Sequence, residues 1–116
     1  KLYATYEYVM EGEAQIVDAR SEAEFESETI PGAINIPYDL VLDGKMIRDE
    51  EELKEIFGNL TKDKPVVVFT TTGTKASASW FALTMLGYDA RMYTFKDWSD
   101  TQRALRRQSQ GLNRSS

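Results

Sequence analysis

The chain has 116 residues, 41% hydrophobic and 28% charged, with a net charge of −5, which suits one domain able to bury its own core without disulfides or a structural metal. It contains no cysteine and no histidine, so thiolate nucleophiles, disulfide staples, imidazole bases and the usual zinc ligands are all excluded. Charge is uneven: residues 1–60 hold 15 acids and 5 bases, residues 61–116 hold 4 acids and 9 bases, so an acidic body leads into a basic end.

Along the chain, Lys1 and the LYATYEYVM that follows lack the basic start, apolar core and cleavage site of a secretory signal. An opening without methionine fits a piece cut from something longer. No apolar run approaches the roughly 20 residues of a membrane helix, and a cytoplasmic location is the expectation. A short helix near 4–11 precedes a strand, AQIVD at 14–18. Directly behind it SEAE at 21–24 is a capping-box pattern, Ser21 as N-cap and Glu24 three positions on, opening a helix over 21–27. AINI at 33–36 is the next strand. DEEE at 49–52 repeats the capping pattern with Asp49 and Glu52, and a helix over 49–58 follows, its first-turn acids suiting the helix dipole. PVVVF at 65–69 is β-branched without alternation, as a central strand buried on both faces would be. A helix over 74–86 is apolar nearly all round, as if covered on several sides. ARMY at 90–93 is the last strand, and SDTQ at 99–102 a third capping pattern, with Ser99 as N-cap, in a helix over 97–108. Trp80 and Trp98 read as packing residues rather than a ligand cage. Strands alternating with helices predict an α/β domain over 1–108, a mostly parallel sheet with helices on its faces, followed by a flexible basic tail at 109–116. The arginines of TQRALRRQSQGLNRSS are a weak footprint on an acidic protein, so they read as a solvated helix and frayed end, with neither nucleic acid nor membrane as partner.

The stretch with the most chemistry is TTTGTK, between the central strand and the apolar helix, where open α/β sheets bind ligands. Free backbone N–H groups at a helix start, the hydroxyls of Thr70, Thr71, Thr72 and Thr74, the backbone freedom of Gly73 and the charge of Lys75 together predict an anion cradle. It is not a Walker loop, because no glycine stands five positions before a GK pair. The competing reading is that the threonines only cap the helix and satisfy the turn. No D-x-D-x-D-G loop suggests a cation site, and no metal or cofactor is expected. Asp18 and Arg20 end the first strand; the plain reading has Asp18 capping the turn and Arg20 pairing with a surface acid such as Glu24.

DAR at 18–20, EF at 24–25, IPGAINIP at 30–37, EELKEIF at 51–57, DKPVVVF at 63–69, the loop TTTGTKAS, WFALTMLGYDARMY at 80–93 and Trp98 occur in the order seen in the rhodanese-like domain, and the chain resembles that family from about residue 5 to 108. IPGAINIP and LGYDARMY are the most specific parts. A flavodoxin-like or receiver-type domain would explain the alternation of elements but not IPGAINIP. The resemblance implies a three-layer α/β sandwich. In active members it implies a persulfide on a cysteine opening the loop, which moves sulfur from a donor such as thiosulfate to a thiophilic acceptor. Aligned on VVVF, that cysteine position is Thr70, followed by Thr71, Thr72, Gly73, Thr74 and Lys75, a loop length of the sulfurtransferase branch. Asp18 and Arg20 fall where family members brace the loop region.

Two further segments depart from the family pattern: Glu28 and Thr29 replace a common Gly-His, and Thr94 to Asp97 replace a glycine-containing turn. A threonine hydroxyl cannot store sulfur as an S–S bond, and with no histidine to activate it is a poor nucleophile. The expectation is a non-catalytic homologue, a binding or regulatory module or the silent domain of a larger sulfurtransferase. Its ligand would be a small thiosulfate- or sulfate-like oxyanion, its partner a protein or a tandem rhodanese domain. The alternative is an enzyme whose thiol comes from a partner or second domain.

Overall fold

A computed structural model of the chain describes residues 2–72 and 75–115, with side chains described to residue 110. Four strands form one sheet in the order β2-β1-β5-β6: β1 Gln15–Asp18, β2 Ile34–Asn35, β5 Val66–Thr70 and β6 Ala90–Thr94, every pairing parallel. Five helices surround it: α1 Tyr6–Met10, α2 Glu22–Ser27, α3 Glu50–Ile56, α4 Ala76–Met85 and α5 Phe95–Ser115. The expected strands and helices are all present. β5 shows why the sheet is covered twice. Val66 and Val68 pack with Leu53 and Phe57 of the α3 region and Ala82 and Leu83 of α4. Val67 and Phe69 point the other way, toward Val9 of α1 and Trp98 of α5. The period-two alternation of a strand thus feeds two cores, giving three layers.

Helix starts follow the capping patterns in two of three cases. The Ser21 hydroxyl accepts from Glu24 N at 3.3 Å while Ser21 N donates back to Glu24 Oε1 at 3.4 Å. Asp49 Oδ1 accepts from Glu52 N at 3.0 Å. The third pattern is displaced: α5 begins at Phe95, where Thr94 Oγ1 accepts from Asp97 N at 3.1 Å, and Ser99 lies inside the helix. The helix also continues past the expected end at 108. Helix α4 leaves Phe81 and Met85 about half exposed, so one of its faces is open rather than covered.

One small element went unforeseen, an antiparallel pair of β3 Leu42–Asp43 and β4 Met46–Ile47 after a 3-10 helix at Tyr38–Val41. Its two-residue loop opens with Gly44 at φ +64°, the backbone that a glycine at the first position of a tight hairpin turn provides.

Register fixes the functional edge of the sheet. Asp18 pairs with Asn35 and Phe69, Phe69 with Tyr93, and Thr70 with Thr94. The carboxyl ends of the four strands therefore lie side by side, and the loops leaving them converge.

Candidate functional site

Those loops enclose a cleft of about 1070 Å³, walled by Ala19 to Glu22 and Glu24 beyond β1, by Asn35 and by Pro37 to Leu40 beyond β2, and by Thr70, Thr71, Thr72 and Lys75 beyond β5. The cleft brings together Arg20 and most of the expected loop residues; Gly73 and Thr74 lie outside the described residues. Asp18 sits behind the wall, fully buried.

Asp18 and Arg20 are bonded to each other rather than to the surface. The guanidinium donates from Nε to Asp18 Oδ1 at 3.0 Å and from Nη2 to Oδ2 at 2.9 Å, a two-point match of fork to carboxylate. Asp18 also accepts from Arg20 N at 2.9 Å, the turn cap that the sequence suggested. The expected pairing of Arg20 with the Glu24 carboxylate is not formed: Arg20 reaches the backbone carbonyls of Glu24 and Glu28 instead. Its flat face lies over Phe95, 4.1 Å from the ring centroid, with Phe69 at 5.6 Å. A guanidinium 7% exposed is kept in place because charge, donors and π-face are all satisfied at once.

The two segments that depart from the family pattern build this arrangement. Thr29 Oγ1 donates to Asp18 Oδ2 at 2.8 Å, and the carbonyl of Glu28 receives Arg20. At the other segment Thr94 caps α5, Phe95 supplies the ring beneath Arg20, and Lys96 N donates to Thr71 O at 3.2 Å. In place of a glycine turn, the first turn of α5 is tied to the loop. Sequence reading passed over Thr29 and Phe95 as structural partners; their signal was the departure itself, at positions next to IPGA and ahead of Trp98.

Glu24 is a second link. Besides capping α2 it accepts from Thr71 Oγ1 at 3.4 Å through Oε2, so helix and loop share one carboxylate. Thr70 is 5% exposed at the end of β5 and hydrogen-bonded or otherwise engaged. Lys75 directs its ammonium over the Tyr38 ring at 5.0 Å. The described lining therefore mixes signs: Glu22, Glu24 and Asp39 against Lys75 and an Arg20 already matched by Asp18. Among the described residues no cluster of acids is arranged to hold a metal ion, and no helix is long and apolar enough to cross a membrane.

Trp80 and Trp98 are packing residues, as expected. Trp80 donates from Nε1 to Ala90 O at 3.0 Å, and Trp98, 8% exposed, lies 5.6 Å from Phe95.

Comparison with known proteins agrees with this geometry. The family model described as "Rhodanese-like domain" matches residues 4–100. The sulfur carrier protein TtuD of Thermus thermophilus is 36% identical over 101 residues, covering 69% of this chain and 35% of that protein. The 3-mercaptopyruvate sulfurtransferase of Escherichia coli K12 is 36% identical over 90 residues, covering 66% and 32%. The crystal structure of SseA from Escherichia coli, a 3-mercaptopyruvate sulfotransferase by its description, superposes with a TM-score of 0.71 at 29% identity, covering 79% of this chain and 40% of that one. The chain spans about a third of the length of the curated relatives it matches.

Proposed function

This chain belongs to the rhodanese-like family, and from that premise we propose that it is a non-catalytic member, a binding or regulatory module built on the sulfurtransferase cleft. The observation that carries this reading is Thr70. It ends the central strand at the position where the family resemblance puts the sulfur nucleophile, in a chain with neither cysteine nor histidine. Sulfur transfer needs a thiolate that attacks and then stores sulfur as an S–S bond, and a hydroxyl does neither. The pocket wall around it is held by the Asp18–Arg20 pair and by the bond from Thr71 to Glu24, which suits a cleft used for binding. The ligand class this reading takes from the relatives is a small sulfur oxyanion, met by the Thr70–Lys75 loop, with Asp18 and Arg20 bracing that loop. A second reading, in which another domain or partner supplies the thiol, is favoured by one observation: the matched relatives are about three times as long as the stretch aligned.

The test is sulfur transfer from thiosulfate to cyanide, run on the chain and on Thr70→Cys, with sulfur loading followed by intact mass. The expected result is no turnover and no added mass for the chain, and one added sulfur on the variant. Turnover by the unaltered chain alone would overturn the reading. A folded Thr70→Cys that never takes up sulfur would remove the claim of a preserved cleft.

A further inference from the structure

Among the described side chains, helix α5 meets the body through its first two turns. Trp98 is 8% exposed, and Gln102 donates from Nε2 to the Tyr6 hydroxyl at 2.6 Å. From Arg103 through Gln110 every residue is exposed. At 1.5 Å per residue the 21-residue helix is about 30 Å long, and the molecule reaches 58 Å along its longest axis against 28 and 21 Å across. Leu105 stands seven positions beyond Trp98, on the face that packs against the body, yet is 46% exposed. Arg103, Arg106 and Arg107, spaced i, i+3 and i+4, share one side of the overhang. Arg103 is engaged by Asp100, while Arg106 and Arg107 make no ion pair among the described residues.

The complementary surface is on α2. This six-residue helix has no buried residue and exposes Glu22, Glu24 and Glu26, followed by Glu28. None of these four makes an ion pair among the described residues, whereas Glu50, Glu51 and Glu52 of α3 are matched in place by Arg48 and Lys54. Glu22 and Glu26, four apart, present two carboxylates on one side at the spacing of the Arg103 and Arg107 stripe. Among the described residues no ion pair joins the overhang to its own α2, and a second copy of the chain carries the matching charge.

We propose that two copies of this chain pair by reciprocal exchange, the arginine stripe of each α5 lying along Glu22 and Glu26 of the other copy's α2. A two-fold axis makes both contacts equivalent. The attraction is between exposed charges, so salt screens it.

Sedimentation velocity of the full chain over a concentration series, at low and at high salt, tests this. The expected result is a dimer at low salt that dissociates at high salt. Arg106→Glu/Arg107→Glu and Glu22→Lys/Glu26→Lys should each weaken self-association by roughly tenfold or more, like charges then facing each other at both contacts. An equimolar mixture of the two variants should recover the dimer, because each of its contacts again joins opposite charges. Circular dichroism reports whether α2 survives. Glu26→Lys alone, with its cation near the helix C-terminus where the dipole favours it, should give a smaller weakening in the same direction. A monomer at every concentration at low salt, a dimer indifferent to either reversal, or a mixture that stays monomeric would overturn the proposal.

Discussion

Asp18, behind the cleft wall, gathers four hydrogen bonds on one carboxylate. It is fully buried and accepts from Arg20 N, Arg20 Nε, Arg20 Nη2 and Thr29 Oγ1. Asp18→Ala leaves a guanidinium in the interior without its counter-charge, and the expected loss is about 3–5 kcal/mol in urea unfolding. Thr29→Val removes one donor of that set and should cost about 1 kcal/mol in the same measurement. Equal, small losses would mean that the pair is solvated and weak. Sequence showed the cap at Asp18 because the capping atom is local, two residues from its target. It could not show the partner of Arg20, since Phe95 and the Glu28 carbonyl reach the guanidinium through the fold. Tyr93 gives a pH test of a buried group. Burial, aided by the 2.6 Å bond it donates to Asp97 Oδ2, pushes its phenol well above the ordinary tyrosine value. A raised acid is favoured protonated in the folded state, so its contribution is intact below about pH 10 and is lost as the unfolded phenol ionises above it. Chemical denaturation across alkaline pH should therefore show the chain losing stability above about pH 10 more steeply than Tyr93→Phe, with parallel curves below. Parallel curves throughout would show that Tyr93 titrates normally.

At the level of elements, capping chemistry located helix starts well where the cap follows a loop. Ser21 and Asp49 are such cases. It failed at α5 because Thr94 is both the last strand residue and the cap, so strand and helix meet without a loop. Ser99-x-x-Gln102 matches the pattern by composition only. Thr94→Ala should therefore cost about 1 kcal/mol, while Ser99→Ala should be near neutral, a helix-interior serine giving way to a better helix former. Thermal unfolding of the two variants decides between the boundaries, since the reverse order would return the cap to Ser99. The missed β3–β4 hairpin has a different cause. Strands of two residues carry no readable period, and only Asp43-Gly44 hinted at the turn. The far end of α5 was predicted too short because Arg, Gln and Ser after residue 108 look like a loose tail by charge, although nothing there breaks a helix before Gly111.

Across the whole molecule, the layered architecture was legible because β5 is buried on both faces and its unbroken VVVF says so. The cleft was legible on one side only. The loop after β5 could be read from its threonines, but the opposing wall of Tyr38, Asp39 and Leu40 comes from a segment after β2 with no chemical pattern of its own. Its one acid, Asp39, changes the electrostatics of a site that the loop alone marks as anion-seeking. Charge is also divided in space, with acids of α2 that make no ion pair among the described residues and arginines on a helix whose described side chains are exposed from Arg103 onward. That division separates what folds the domain from what decorates it. Burial of Trp98, and of Tyr93 before it, anchors α5, so Trp98→Ala should lose about 3–5 kcal/mol. Ending the chain at Arg103 keeps Trp98, Gln102 and the Asp100 ion pair while removing three arginines and no acid. Residues 104–110 are exposed, and surface losses of this kind stay within about 0.5 kcal/mol. At high salt, where neither form pairs, the shortened chain should therefore unfold at the same urea midpoint as the full one, yet at low salt, where the full chain pairs, it should sediment as a monomer. A lower midpoint would mean that the overhang packs on its own body, and the free basic helix on which the pairing of copies depends would not exist.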